Sequence, residues 1–146
     1  MPDDGASLMK LLLEHLDRGN RLFHAGQVID AKNHFSIAKS RSIRLLRASP
    51  NDLDKIRHMV IAHQCIADIY QHIKLNHIAE QELRSANELL VDLHATLSSQ
   101  QQRTDNLKLG IDRSRDLLDE HIARYGSFLT VTGPLAHHEI NISLDL

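Results

Sequence analysis

Apolar residues recur every three or four positions through most of the chain, and turn-forming breaks divide them into five stretches. The spacing predicts a first helix over about 7–24, with Leu8, Leu12, His15 or Leu16, Gly19 and Leu22 on one face. Asp3 and Asp4 precede it, where negative charge suits a helix N-terminus. A second helix is predicted over about 28–48. Val28, Ala31, Phe35, Ala38 and Leu45 form one stripe, and Ile29, Ile37, Ile43 and Leu46 spread over other sides. Apolar residues on several sides mark a central helix. The Ser-Pro-Asn-Asp segment at 49–52 stops it, and Asn51 or Asp52 can cap the next. The third helix is predicted over about 53–74, lined by Ile56, Val60, His63, Ala67 and Tyr70. The fourth spans about 76–98, where Ala79, Leu83, Ala86, Leu90, Leu93 and Leu97 alternate four and three apart, the seam of coiled-coil-like packing. Polar residues 98–103 read as a loop or a frayed extension. The fifth covers about 105–125, with Thr104 as its cap, Gly126 as its stop, and Leu107, Ile111, Ser114, Leu118 and Ile122 as its buried stripe.

Two of these stretches echo one another. Moved by 48 residues, Leu22 falls on Tyr70, Ala31 on Ala79, Phe35 on Leu83 and Ala38 on Ala86. His15 also falls on His63, and His24 on His72. Small residues recur where helices must approach closely, each followed by one large plug. Each copy therefore reads as an antiparallel helical hairpin, turning at 25–27 and again at 74–76. Gly26 suits a helix end because it tolerates left-handed backbone angles.

The order of small and large residues resembles the tetratricopeptide repeat. Its pattern maps onto Gly19, Leu22, Gly26, Ala31, Phe35 and Ala38, then onto Ala67, Tyr70, Lys74, Ala79, Leu83 and Ala86. His15 and His63 stand where the family has tryptophan, and Lys74 replaces a glycine. The family's period is about 34 residues. The surplus here is about four helical turns, which lengthens helices without turning their apolar faces away. The resemblance implies an all-α fold: two long hairpins in a right-handed superhelical stack, with helix 5 covering the last apolar face. It also implies a groove lined by the first helix of each pair. Leu16, Asn20, Phe23 and His24 would face it from copy one, and Gln64, Asp68, Gln71 and His72 from copy two. Asn20 matches the family's backbone-binding asparagine.

Residues 1–126 form the expected helical domain, and residues 127–146 change character. Leu129 and Val131, then Ile140, Ile142, Leu144 and Leu146, alternate with polar residues around Gly133 and Pro134. Period-two spacing predicts two short strands. A lone hairpin is marginal in water, so pairing with a second copy of the tail, giving a homodimer, is the expectation for Leu129, Val131, Ile140, Ile142 and Leu144.

Composition narrows the chemistry. A net charge of -2 gives no general signal for nucleic acid or membrane. The start of the chain lacks a basic region, and Lys10 and Glu14 break its apolar run, so neither a signal peptide nor a span is expected there. One cysteine, Cys65, excludes an internal disulfide, and a reducing cytoplasm is the expected setting. There are 11 histidines, but no His-Glu-x-x-His, no cysteine pair and no carboxylate motif. No phosphate loop or nucleophile elbow appears. The expectation is therefore no cofactor, no metal and no catalysis. Helix 2 carries Lys32, Lys39, Arg41, Arg44 and Arg47, a face that could meet nucleic acid. The leading expectation is a protein-interaction module, adaptor or chaperone-like, that takes a partner's segment in the groove of helices 1 and 3. A self-associating homodimer and a nucleic-acid-associated regulator are the alternatives.

Overall fold

A computed structural model describes residues 4–128. The expected strands, with Leu129, Val131, Ile140, Ile142 and Leu144, lie outside the described residues. Five helices run in order: α1 (Asp4–His24), α2 (Val28–Ala48), α3 (Leu53–His72), α4 (Asn76–Ser99) and α5 (Asp105–Tyr125). The bounds of α2 and α5 agree with the periodicity, and those of α1 and α4 differ at one end. The third helix stops at His72 rather than at 74, because Lys74 takes a left-handed backbone with φ +67°.

That departure gives α3 the same kind of C-terminal turn as α1. Gly26 has φ +82°; its N–H donates to Phe23 O at 3.0 Å, and the Gln27 N–H donates to Leu22 O at 2.9 Å. The same two backbone bonds recur 48 residues on. Lys74 N–H donates to Gln71 O at 3.1 Å, and Leu75 N–H to Tyr70 O at 2.8 Å. Both helices thus end in the same left-handed cap, which closes orphan carbonyls. Gln101, at φ 59°, repeats the device after α4.

Each helix packs on the next, and α5 also reaches α3. Two cores result. Leu12 and Leu16 of α1 meet Ala31, Phe35 and Ala38 of α2, with Ala62, Ile66 and Ile69 of α3. The second core joins Leu46, Ile56, Met59, Ala67, Leu83, Leu90, Leu107 and Leu118 across α2 to α5. Because α3 contributes to both and touches α2, α4 and α5, it is the central helix. That corrects the expectation for α2, whose Ile29 and Ile37 are exposed, Ile29 by 77%. Gly19 lies flat against Phe35, so that a Cβ there would sit 2.5 Å from the ring.

The N-terminal cap of α5 is supplied from outside the helix. Thr104 makes no side-chain cap hydrogen bond. Instead Asn51, between α2 and α3, accepts from the Asn106 and Leu107 N–H groups at 3.0 and 3.1 Å. Its own amide donates to Asp105 at 2.9 Å. With Arg103, this holds the Asp105 carboxyl down to about 2. Neighbouring Asp52 caps α3 through the Lys55 N–H. Asn51→Ala should therefore destabilise the fold by about 1–2 kcal/mol and speed amide exchange at 106 and 107 in α5, while Thr104→Ala should change stability by less than about 0.5 kcal/mol. Chemical denaturation with hydrogen exchange checks both; equal losses would place the cap on Thr104.

Candidate functional site

A cleft follows the line where α3 and α5 lie side by side. Its apolar chamber, about 430 Å³, is walled by Leu53, Ile56, Val60 and Ile61 of α3 and by Leu109 and Gly110 of α5. Leu109 is 57% exposed, and Arg57 and Arg113 stand at the rim. Gly110 has no side chain to fill the space, which lets α5 approach Ile56. Gln64 also lines a second chamber of about 190 Å³, with Asp68 and Gln71 of α3 and Glu120, His121, Arg124 and Tyr125 of α5. One end is thus apolar with cationic edges, and the other is polar with two carboxylates.

Helical spacing explains the division. Leu53, Ile56, Val60 and Gln64 follow one face of α3, continued by Asp68 and Gln71. In α5, the stretch 109–113 supplies the apolar end, and 120–125 the polar one. Gln71 Nε2 donates to His121 Nδ1 at 2.8 Å, leaving His121 Nε2–H to donate to Asn76 O at 3.2 Å. That pair of bonds selects the neutral imidazole. Burial pushes His121 below the ordinary histidine value, against the opposing pull of the Asn76 carbonyl and Glu80. Asp68 keeps an exposed outer edge, yet the cleft walls desolvate its carboxyl and push it above the usual range.

The expected groove residues divide accordingly. Gln64, Asp68 and Gln71 line the cleft, although with α5 rather than α1. Leu16 is 7% exposed and belongs to the core of α1 to α3, so it does not line a groove. Asn20 and His24 are exposed; His24 Nδ1 bonds back to the Asn20 carbonyl at 2.8 Å. Phe23 and His72 meet edge to face, with ring centroids 5.4 Å apart. The repeat-packing residues Gly19, Ala31, Phe35, Ala38, Ala67, Ala79, Leu83 and Ala86 are all buried, and Leu22 and Tyr70 are half-buried. Leu109, Arg113 and His121 were outside the expected set. Leu109 is a solvent-facing leucine on α5, a signal legible only once α5 is set beside α3.

Histidines also mark equivalent places in the two hairpins. His15 stacks on His34, with Nδ1 atoms 2.9 Å apart. One ring must then be neutral to accept the shared proton. At the same offset of 48, His63 of α3 faces Glu82 of α4. His63 is 2% exposed and bonds through Nδ1–H to Met59 O at 2.8 Å; Lys39 reaches Glu82 at 3.0 Å. Burial pushes His63 below its ordinary value, outweighing the Met59 carbonyl and Glu82, and Lys39 adds to the lowering. Burial lowers His15 too, reinforced by His34, Arg41 and Arg18.

These shifts share one sign. A histidine lowered in the folded state binds protons more readily when unfolded. Its contribution is intact above the unfolded value near 6.5 and declines as pH falls below it. The melting temperature should therefore hold level from pH 8 to 7 and fall from about pH 6.5 downward. His63→Gln should flatten that slope, because glutamine does not titrate. A melting temperature that rises on acidification would reverse the assignment.

Two of the α2 cations are engaged inside the molecule. Lys39 pairs with Glu82, and Lys32 lies 6.0 Å from the Tyr70 ring centroid. Burial, with Asp68 nearby, pushes the Cys65 thiol up to about 12, which leaves it a poor nucleophile. Among the described residues, no group of three or more His, Cys, Asp or Glu side chains is placed to hold a metal. No helix among them is long and apolar enough to cross a membrane. Neither the curated proteins nor the solved structures provide a match. A family model does match, over residues 13–146, and the chain belongs to that family, DUF2753, described as a protein of unknown function.

Proposed function

We propose that this chain is a non-catalytic interaction module, built as a tetratricopeptide-like stack, that takes a partner's segment in the α3–α5 cleft. The observation carrying this reading is the half-exposed Leu109 over an apolar chamber that continues, through Gln64, into a polar one. An apolar side chain entering the first chamber gains about 25 cal/mol per Å² buried. Gln64 and the charged groups beyond it supply direction and register. α5 here plays the part of a third hairpin's first helix, so the groove forms between consecutive first helices, one repeat later than the pair α1 and α3.

Selecting a random peptide-display library on the full-length protein tests this. Selected peptides should carry two or more apolar anchors. They should lose at least about tenfold in affinity to Leu109→Asp, a loss of about 1.4 kcal/mol. Leu109 is exposed enough for that change to leave the helices intact, which circular dichroism verifies. Peptides that bind Leu109→Asp as tightly as the original protein would place recognition elsewhere.

A further inference from the structure

We propose that the chain carries its own ligand for this cleft: residues 140–146 occupy the apolar chamber of the same molecule. The inference rests on the reading of the α3–α5 cleft as a segment-binding site and names a segment that fits it. The described residues end on the N-terminal part of α4, where the Phe128 ring lies 5.3 Å from that of His77, a few residues past the polar chamber. Tyr125 lines that chamber, and three residues later the Phe128 N–H is held by Glu80 at 2.8 Å. Along α5, the way back from Tyr125 to Leu109 is roughly 24 Å, at 1.5 Å per residue. The residues between Phe128 and Ile140 can span up to about 40 Å when extended. Reach is therefore ample.

The order of chemistry also agrees. His137 and His138 precede Glu139, then Ile140, Ile142, Leu144 and Leu146 alternate with Asn141, Ser143 and Asp145. Laid from the polar chamber toward the apolar one, the histidines pass Asp68 and Glu120. The isoleucines and leucines then reach the chamber of Ile61 and Leu109. Glu139 and Asp145 come within range of the rim cations Arg57 and Arg113. Arg113 has no ion-pair partner among the described residues, and Arg57 has one exposed contact, to Asp54 at 3.3 Å. Residues 129–146 contain no lysine or arginine to oppose this docking. Tethering gives such a segment an effective concentration on the order of millimolar, which favours its own cleft over that of a second molecule. An incoming partner would have to displace it.

A nitroxide on Ser143→Cys, in a Cys65→Ser background that removes the native thiol, tests the docking in the full-length protein. It should broaden the methyl resonances of Val60, Ile61 and Leu109 and spare Ile29, which is exposed on α2 and lines neither chamber. Adding Ile142→Asp and Leu144→Asp should abolish the broadening. No broadening at the cleft overturns the inference. So does broadening that appears only when nitroxide-bearing chains are mixed with isotope-labelled chains lacking the label, because that places the segment on a second molecule. Broadening that survives the two aspartates also overturns it. In the same Ile142→Asp/Leu144→Asp chain, a peptide selected on the cleft should bind about tenfold more tightly, since no internal competitor remains. Unchanged peptide affinity counts against docking but leaves the interaction module standing. Peptides indifferent to Leu109→Asp would instead remove the module while the methyl broadening still reports on the tail.

Discussion

Gly110→Ala should destabilise the protein by about 1–3 kcal/mol, although alanine is the better helix former. Propensity alone favours the substitution by about 1 kcal/mol. The contact decides the sign. A Cβ at Gly110 would lie 2.4 Å from Ile56 Cγ2 and 3.2 Å from Leu90 Cδ1, both on buried side chains. Neither can swing into solvent, so α5 must move away from α3 and α4. Thermal melting should show a fall of about 5–10 °C. Gly26→Ala provides the contrast: nothing lies within 4 Å, and the cost comes from its φ of +82° alone. A double-mutant cycle with Ile56→Ala should recover more than about 1 kcal/mol, because it removes the colliding methyl. A Gly110→Ala protein as stable as the original would mean that α5 does not approach α3 so closely.

Arg84→Ala should cost about 3 kcal/mol, more than its one-quarter exposure suggests. Its partner, Glu80, is fully buried and holds Ser127 and Phe128, just beyond α5. Arg84 Nε donates to Glu80 Oε2 at 3.0 Å, one helical turn away. Arg84 Nη2 lies 2.9 Å from the same oxygen but without hydrogen-bond alignment, so it adds charge rather than a second bond. The Ser127 hydroxyl donates to Oε2 at 2.9 Å, and the Phe128 N–H to Oε1 at 2.8 Å. Without the guanidinium, a buried carboxylate keeps two neutral donors and no compensating charge. Denaturant unfolding measures the loss. Arg84→Lys should retain part of the stability, as a point charge without the planar fork. A loss under about 1 kcal/mol for Arg84→Ala would show that the hydroxyl and amide suffice.

The same interactions explain which features were legible in the sequence. Helix ends at Val28, Ala48, Asp105 and Tyr125 follow from local chemistry: spacing of apolar residues, proline, and glycine beyond the last turn. The offset of 48 was legible in side-chain size at Gly19 and Ala67, Ala31 and Ala79, Phe35 and Leu83, all of which are buried. Lys74 was harder. A left-handed lysine is not signalled by composition, and only its equivalence to Gly26 pointed there. The α5 stripe was read too narrowly. Ile111 and Ile122 are half-buried, whereas Gly110, Leu117 and His121 are buried, because α5 meets both α3 and α4 and so needs a wider face.

By itself, then, the sequence determined five helices and where most of them begin and end, since helix periodicity and turn preferences act over a few residues. The tertiary structure alone decided four things: that α3 is central, that Asn51 caps α5, that Glu80 holds Ser127 and Phe128, and that the cleft opens between α3 and α5. The last three join residues about 50 positions apart. No local pattern encodes such a pairing; it is set by how two helical faces come to rest against a third.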